Sequence, residues 1–173
     1  YCWGDSGLLG TASGEGSLVA VRVADLDDAV EVAAGRFHTC ARRAGGEVAC
    51  WGGGGVPEPI AVSGVIDLSA ATDRTCVVDG AGQVLCWDGL SGTPAVVEGV
   101  TMATRVAVSD VHACAVRAEG DILCWGDSGS GSLGGPQIDM DGILHQVTGI
   151  EDALDVGVGG DYTFHHTCAL REG

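Results

Sequence analysis

The sequence predicts an all-β protein of tandem repeats, each built from short antiparallel strands, and three observations carry that prediction. Glycine is abundant, 30 of 173 residues, with no Gly-X-Y period, which excludes a collagen helix and favours frequent turns. Apolar stretches are short, rich in Val and Ala and cut by Gly, the pattern of strands and not of long helices. One unit also recurs: VEVAAGRFHTCARRAGGEVACWGG at 30–53, VIDLSAATDRTCVVDGAGQVLCWDG at 65–89 and TRVAVSDVHACAVRAEGDILCWGD at 104–127. A fourth copy, LDVGVGGDYTFHHTCALREG at 154–173, stops inside its turn, and the missing Cys-Trp-Gly stands at the start of the chain as Cys2, Trp3 and Gly4. Repetition at this period is the signature of a repeat architecture.

Each unit opens with an alternating strand and a small-residue turn. A strand bearing His-x-Cys or a variant follows, then a Gly turn, then a strand ending in Cys-Trp. Cys40 and Cys50, Cys76 and Cys86, and Cys114 and Cys124 are each ten residues apart. Residues facing each other across a hairpin at an even separation need a loop of odd length. A three-residue loop centred in each pair falls on Ala44-Gly45-Gly46, Gly80-Ala81-Gly82 and Ala118-Glu119-Gly120. Gly fills the third loop position every time, where a type I turn with a G1 bulge requires left-handed backbone. The spacing thus predicts three hairpin disulfides at a Cα separation such a bond can span. Zinc is disfavoured, because none of the pairs is Cys-x-x-Cys. By the same rule Cys168 wants a partner just past the turn, and Cys2 supplies it, within one molecule or between two. Each such bridge contributes roughly 2–3 kcal/mol, and the set places the chain in an oxidising, extracellular compartment.

Charge narrows the function classes. There are 24 Asp and Glu against 8 Arg and no Lys, a formal charge of −16. Such a surface repels phosphates, so nucleic-acid binding is excluded. A solvated acidic surface, cation binding and a basic protein partner all fit it. No apolar run approaches the roughly 18 residues of a membrane-spanning helix. No signal peptide stands in the sequence, so secretion needs a signal outside it.

The frame VAAGRFHTCA…GEVACWG, followed by GDSGLLG or GDSGSGSLG, resembles the regulator-of-chromosome-condensation repeat, most closely its cysteine-bearing bacterial extracellular form. The resemblance covers nearly the whole chain in four copies. It implies a β-propeller with four blades of four-stranded antiparallel sheets, in a single domain whose N-terminal strand completes the last blade. Blade 1 spans about 17–52, blade 2 about 56–88, blade 3 about 94–126, and blade 4 about 143–173 with residues 1–4. In blade 2, strands are expected near 58–62, 65–70, 74–78 and 83–87. Propellers of the family usually have seven blades, which leaves a compact four-bladed ring or a section of something larger. The second copy departs from the pattern, with Asp73-Arg74-Thr75-Cys76 where the others place a His before the Cys. Nuclear members promote nucleotide exchange on a small GTPase, a role that a disulfide-bearing chain does not suit in a reducing cytosol. A secreted relative inhibits an enzyme by capturing it.

Residues that recur once per repeat read as structural. Trp3, Trp51, Trp87 and Trp125 fill the space between neighbouring sheets, and His38, His112 and His166 serve packing or hydrogen bonding. Asymmetric features are the functional candidates. The fourth copy carries GGDYTFHHTC where the first has AGRFHTC, so Tyr162, Phe164 and His165 are expected on a loop that contacts a partner. Asp139 and Asp141, in Asp-x-Asp-Gly, and Asp25, Asp27 and Asp28, in ADLDDA, are candidate calcium ligands, because calcium takes several carboxylate oxygens. Neither stretch has EF-hand spacing. Asp161 with His165 or His166 forms no catalytic set, because no nucleophile stands near. The sequence therefore reads as a non-enzymatic secreted module that binds a protein partner or copies of itself, as a filament or surface-layer subunit stabilised by calcium. The alternative is a metal-dependent extracellular hydrolase.

Overall fold

The computed structural model of the chain describes residues 1–128, 131–135, 143–160 and 163–172. The regular elements among them are all strands. The first sheet joins β3 (Ala29–Ala34), β4 (His38–Arg43), β5 (Val48–Gly52) and β6 (Glu58–Ile60) in chain order. The second joins β7 (Val65–Ala70), β8 (Arg74–Asp79), β9 (Val84–Asp88) and β10 (Ala95–Val96). The third joins β11 (Ala103–Val108), β12 (His112–Arg117), β13 (Ile122–Gly126) and β14 (His145–Gln146). Two further sheets have two strands each, β1 (Cys2–Gly4) with β2 (Ser17–Val21), and β15 (Ala153–Gly160) with β16 (His165–Arg171).

The sheet boundaries fall one strand later than the repeat spacing suggests. The strand expected to open blade 2 near 58–62 is β6, and it pairs with β5 as the outer strand of the first sheet. Likewise β2, expected to open blade 1, pairs with β1. The cause is local, since a short connection returns the chain antiparallel onto the strand it has just left. The pairs β1–β2 and β15–β16 stand at the two ends of the chain as separate two-stranded sheets. The junction between them is not made in this structure, and Cys2 and Cys168 carry free thiols.

The central hairpins follow the predicted chemistry. Gly46, Gly82 and Gly120 take φ of 87°, 76° and 86°, the left-handed backbone that closes a three-residue loop. The same glycines join blade to blade. The Gly46, Gly82 and Gly120 carbonyls accept the amides of Val65, Ala103 and Ala153, at 2.9, 3.0 and 2.8 Å, where the next sheet begins. Each inner strand then carries a β-bulge at one shared position, between Ala29 and Glu31, Val65 and Asp67, Ala103 and Arg105, and Ala153 and Asp155.

The core lies between sheets. Val48 and Cys50 pack with Val65, Leu68, Val77 and Trp87 across the first junction. Val78 and Val84 pack with Val100, Ala103, Val106 and Val108 across the second. Val116, Ile122 and Leu133 pack with Ala153 and Val156 across the third. At the N-terminal end, Cys2 and Leu26 pack on Val23, Ala41 and Trp51. Trp51, Trp87 and Trp125 each lie in the cluster toward the preceding sheet, the spacer role expected of them.

Candidate functional site

Three disulfides lock the hairpins at Cα separations of 4.0, 4.1 and 4.0 Å: Cys40–Cys50, Cys76–Cys86 and Cys114–Cys124. In each pair the cysteines are direct cross-strand partners. On this frame the histidine two residues before the cysteine reaches the next blade from β4 and from β12. His38 Nε2 lies 2.6 Å from Thr75 Oγ1, and His112 Nε2 lies 2.9 Å from Thr167 Oγ1. Burial lowers the pKa of both rings; at His38 the Asp73 charge opposes the effect, whereas at His112 the neighbouring His165 and His166 deepen it. Ser109 Oγ, 2.9 Å from His112 Nδ1, completes that chain of polar groups.

The second junction lacks this peg, and several residues change together there. Arg74 stands in the histidine position, and Ala113 stands where the other repeats have Thr39, Thr75 and Thr167. Arg74 turns instead to its own hairpin partner Asp88, with Nε donating to Oδ1 at 2.8 Å. That bond holds the Asp88 carboxyl below the usual carboxylate range.

The inner strands line an axial groove of about 690 Å³. One charged residue per repeat follows the bulge and stands in this groove: Glu31, Asp67, Arg105 and Asp155. A bulge re-aims the side chain beside it, so this charged row is a product of the repeat. Arg42 Nε donates to Glu31 at 2.7 Å, and the Val106 amide donates to Asp67 Oδ2 at 2.7 Å. Burial pushes the Asp67 carboxyl from 3.8 up to about 6, helped by Glu31 and Asp155 and opposed by the Val106 amide and Arg105. In the sequence these charges stand in VEV, IDL, TRV and LDV, one per copy and each followed by an apolar residue.

The Asp67 proton has a measurable consequence. Because the folded carboxyl keeps it to higher pH than the unfolded one, the stability it contributes is fully present below about pH 4 and is lost as pH rises through about 6. Asp67→Asn keeps an acceptor for the Val106 amide and does not ionise. Between those limits it is expected to gain about 1–2 kcal/mol on the native chain, after screening in the open groove. Urea unfolding at both ends of the range checks this, and identical pH dependence of the two proteins would contradict it.

The other candidates are placed as follows. Asp27 pairs with Arg22, and Asp28 Oδ1 accepts Arg43 at 2.6 Å. Asp25 has φ of 50°, and its carbonyl accepts Arg43 at 2.8 Å. The cluster is thus engaged by arginines. Asp139, Asp141 and Tyr162 lie outside the described residues. Phe164 is exposed, and the His165 ring stands 5.9 Å from the His112 ring. Along β16 the residues His166, Cys168 and Leu170 are exposed, whereas their counterparts His38 and Cys40 in β4 and His112, Cys114 and Val116 in β12 are buried. Trp3 is 67% exposed against 2% for Trp51. The sheets β1–β2 and β15–β16 therefore present open faces.

A family model, the regulator of chromosome condensation (RCC1) repeat, matches residues 29–56 and 103–132. No curated protein matches the chain in a sequence comparison. Human WBSCR16 is similar in structure, with a TM-score of 0.72, 20% identity, and coverage of 92% of this chain and 48% of that one. Prp20p from Saccharomyces cerevisiae, described with its binding to Gsp1p and histones, gives 0.68 at 17% identity, covering 88% and 46%. The same yeast RCC1 bound to Kap60 gives 0.69 at 17%, covering 88% and 44%. The chain thus spans under half the length of these structures. Residues 29–56 and 103–132 thus carry the RCC1 repeat, and the blades of the chain share the fold of RCC1-type β-propellers.

Proposed function

We propose that the chain is a non-enzymatic extracellular module that binds protein through the open edge of β16. The edge of β16 carries this reading. Strands β4, β8 and β12, at the same position in their sheets, have a neighbour on each side, whereas β16 pairs with β15 alone among the described residues. An open strand edge flanked by exposed apolar side chains takes up a further strand or is covered by a partner. The disulfides support an oxidising compartment, and the charge of −16 suits a partner with a basic face. Binding of Gsp1p, histones and Kap60 by the yeast relative supports protein recognition as a use of such blades. Assembly of copies into a filament or surface layer is one form of the same activity. Among the described residues no three His, Cys, Asp or Glu gather in a metal-binding arrangement, and no observation there favours the metal-dependent hydrolase.

Hydrogen exchange on the dilute chain tests the edge. The amides of β16 are expected to exchange orders of magnitude faster than those of β12, which are paired on both sides. Equal protection of the two strands would remove the open edge and the proposal with it. Calcium at the Asp139-Met140-Asp141-Gly142 stretch belongs to the same reading. A rise in Tm with calcium chloride that Asp139→Asn/Asp141→Asn abolishes would support it; no rise would strike it out.

A further inference from the structure

We propose that the junction between the second and third sheets is a pH-sensitive seam, tight while Asp67 is protonated and looser once it ionises. The seam runs between β7 and β11, in the middle of the chain and away from both termini. Side-chain oxygens accept backbone amides across it. Asp67 Oδ2 accepts the Val106 amide at 2.7 Å, Ser69 Oγ accepts the Val108 amide at 3.1 Å, and Asp110 Oδ1 accepts the Thr72 amide at 3.0 Å.

The neighbouring junctions are held in another way. At the first, Glu31 stands in the place of Asp67 but takes Arg42 of its own sheet, and Ala33 stands in the place of Ser69. At the third, Arg105 and Ala107 stand there, and neither side chain has an acceptor oxygen. The Val156 amide turns instead to its own Asp155 Oδ1, at 2.9 Å. Those two junctions carry the His–Thr pegs. Burial holds both imidazoles below their ordinary 6.5, so the pegs are uncharged above that value. At the second junction Arg74, in the histidine position, lines a polar cavity of about 220 Å³ with Thr72, Asp73, Asp88 and Asp110. The bonds on the axial side therefore carry more of this junction than of its neighbours.

Burial disfavours the Asp67 carboxylate, whose side chain is 13% exposed, and the charges around it add to that. Facing it are Glu31 on β3, with Arg42 of β4 bound to it, Arg105 on β11 and Asp155 on β15. With Asp67 protonated, the carboxylates of Glu31 and Asp155 are matched by the guanidiniums of Arg42 and Arg105. Ionised Asp67 adds a further carboxylate with no counterpart. Arg105 gives little relief, because its Nε stands 3.9 Å from Asp67 Oδ1 and its Nη1 donates to the Thr104 carbonyl at 2.8 Å. The closed seam therefore holds the Asp67 proton up to about 6, against 3.8 for a free carboxyl. A proton held more tightly in the closed state stabilises that state at low pH, and the gain is lost as pH rises. The apolar cluster of Val78, Val84, Val100, Val106 and Val108 packs across the same junction and carries no charge, so the change is a local opening and not a separation.

Amide hydrogen exchange of the native chain tests the seam. Rates at Val106 and Val108, each divided by the intrinsic rate at its pH, should show protection falling roughly tenfold or more from about pH 5 to about pH 8. On the alkaline side both amides should exchange well ahead of those of β12 in the same sheet. Asp67→Asn should remove most of the pH dependence. Ser69→Ala should deprotect Val108 at both values and leave the response of Val106 in place. The carbon-13 shift of the Asp67 carboxyl needs no variant, and its midpoint is expected at about 6. A midpoint at the ordinary carboxylate value overturns the proposal. So does protection at Val106 that is flat with pH, that follows β12 at both values, or that keeps the same slope in Asp67→Asn.

Discussion

Trp51→Ala is expected to lower the unfolding free energy by about 3–5 kcal/mol, the usual cost of truncating a buried aromatic. The side chain is 2% exposed and packs between the first sheet and the β1–β2 pair, on Val23, Ala41 and Leu26. Its indole Nε1 donates to the Leu8 carbonyl at 3.1 Å. Gly10 approaches the ring so closely that a Cβ there would lie 2.9 Å from Cδ1. A site held by backbone on one side and a sheet on the other cannot collapse to fill the void, which places the loss high in the range. The orphaned Leu8 carbonyl adds to it. Urea unfolding followed by circular dichroism measures the change, and a loss under about 1 kcal/mol would mean that β1–β2 is not held by this ring.

The second large effect is the paired change Cys114→Ala/Cys124→Ala, expected to cost about 2–3 kcal/mol through the larger conformational freedom of the unfolded chain. Both cysteines are fully buried, at 0% exposure, in the cluster that joins the third sheet to β15. Alanine keeps that site apolar, so the measured loss reports the crosslink together with a small void. Guanidinium unfolding of the pair beside the native chain, each also with reductant, separates the two contributions. Reductant should erase most of the difference; if the gap stays, packing and not the crosslink holds the hairpin.

The repeat unit was legible because its chemistry is local. An even cysteine spacing with Gly at the third loop position allows only one simple hairpin, and the loops and three disulfides follow from it. Sheet boundaries were less legible. Whether β6 closes one sheet or opens the next depends on which strand it meets, and Glu58–Ile60 reads as a strand either way. The acidic run Asp25 to Asp28 read as a ligand set because the sequence does not show that Arg22 and Arg43 fold onto it. Likewise the His–Thr pegs join residues 37 and 55 positions apart. Their one trace in the sequence is that Arg74 and Ala113 depart from the repeat pattern together.

That joint departure restricts how such a chain gains or loses repeats. Deletion of the second blade alone would set His38 against Ala113, leaving a buried imidazole nitrogen with no acceptor. Loss of the third alone would press the Arg74 guanidinium toward Thr167. Excision of both brings His38 to Thr167, a matched pair. Blades two and three therefore form one heritable cassette, and duplication or loss that respects its ends preserves the His–Thr peg at every junction that has one.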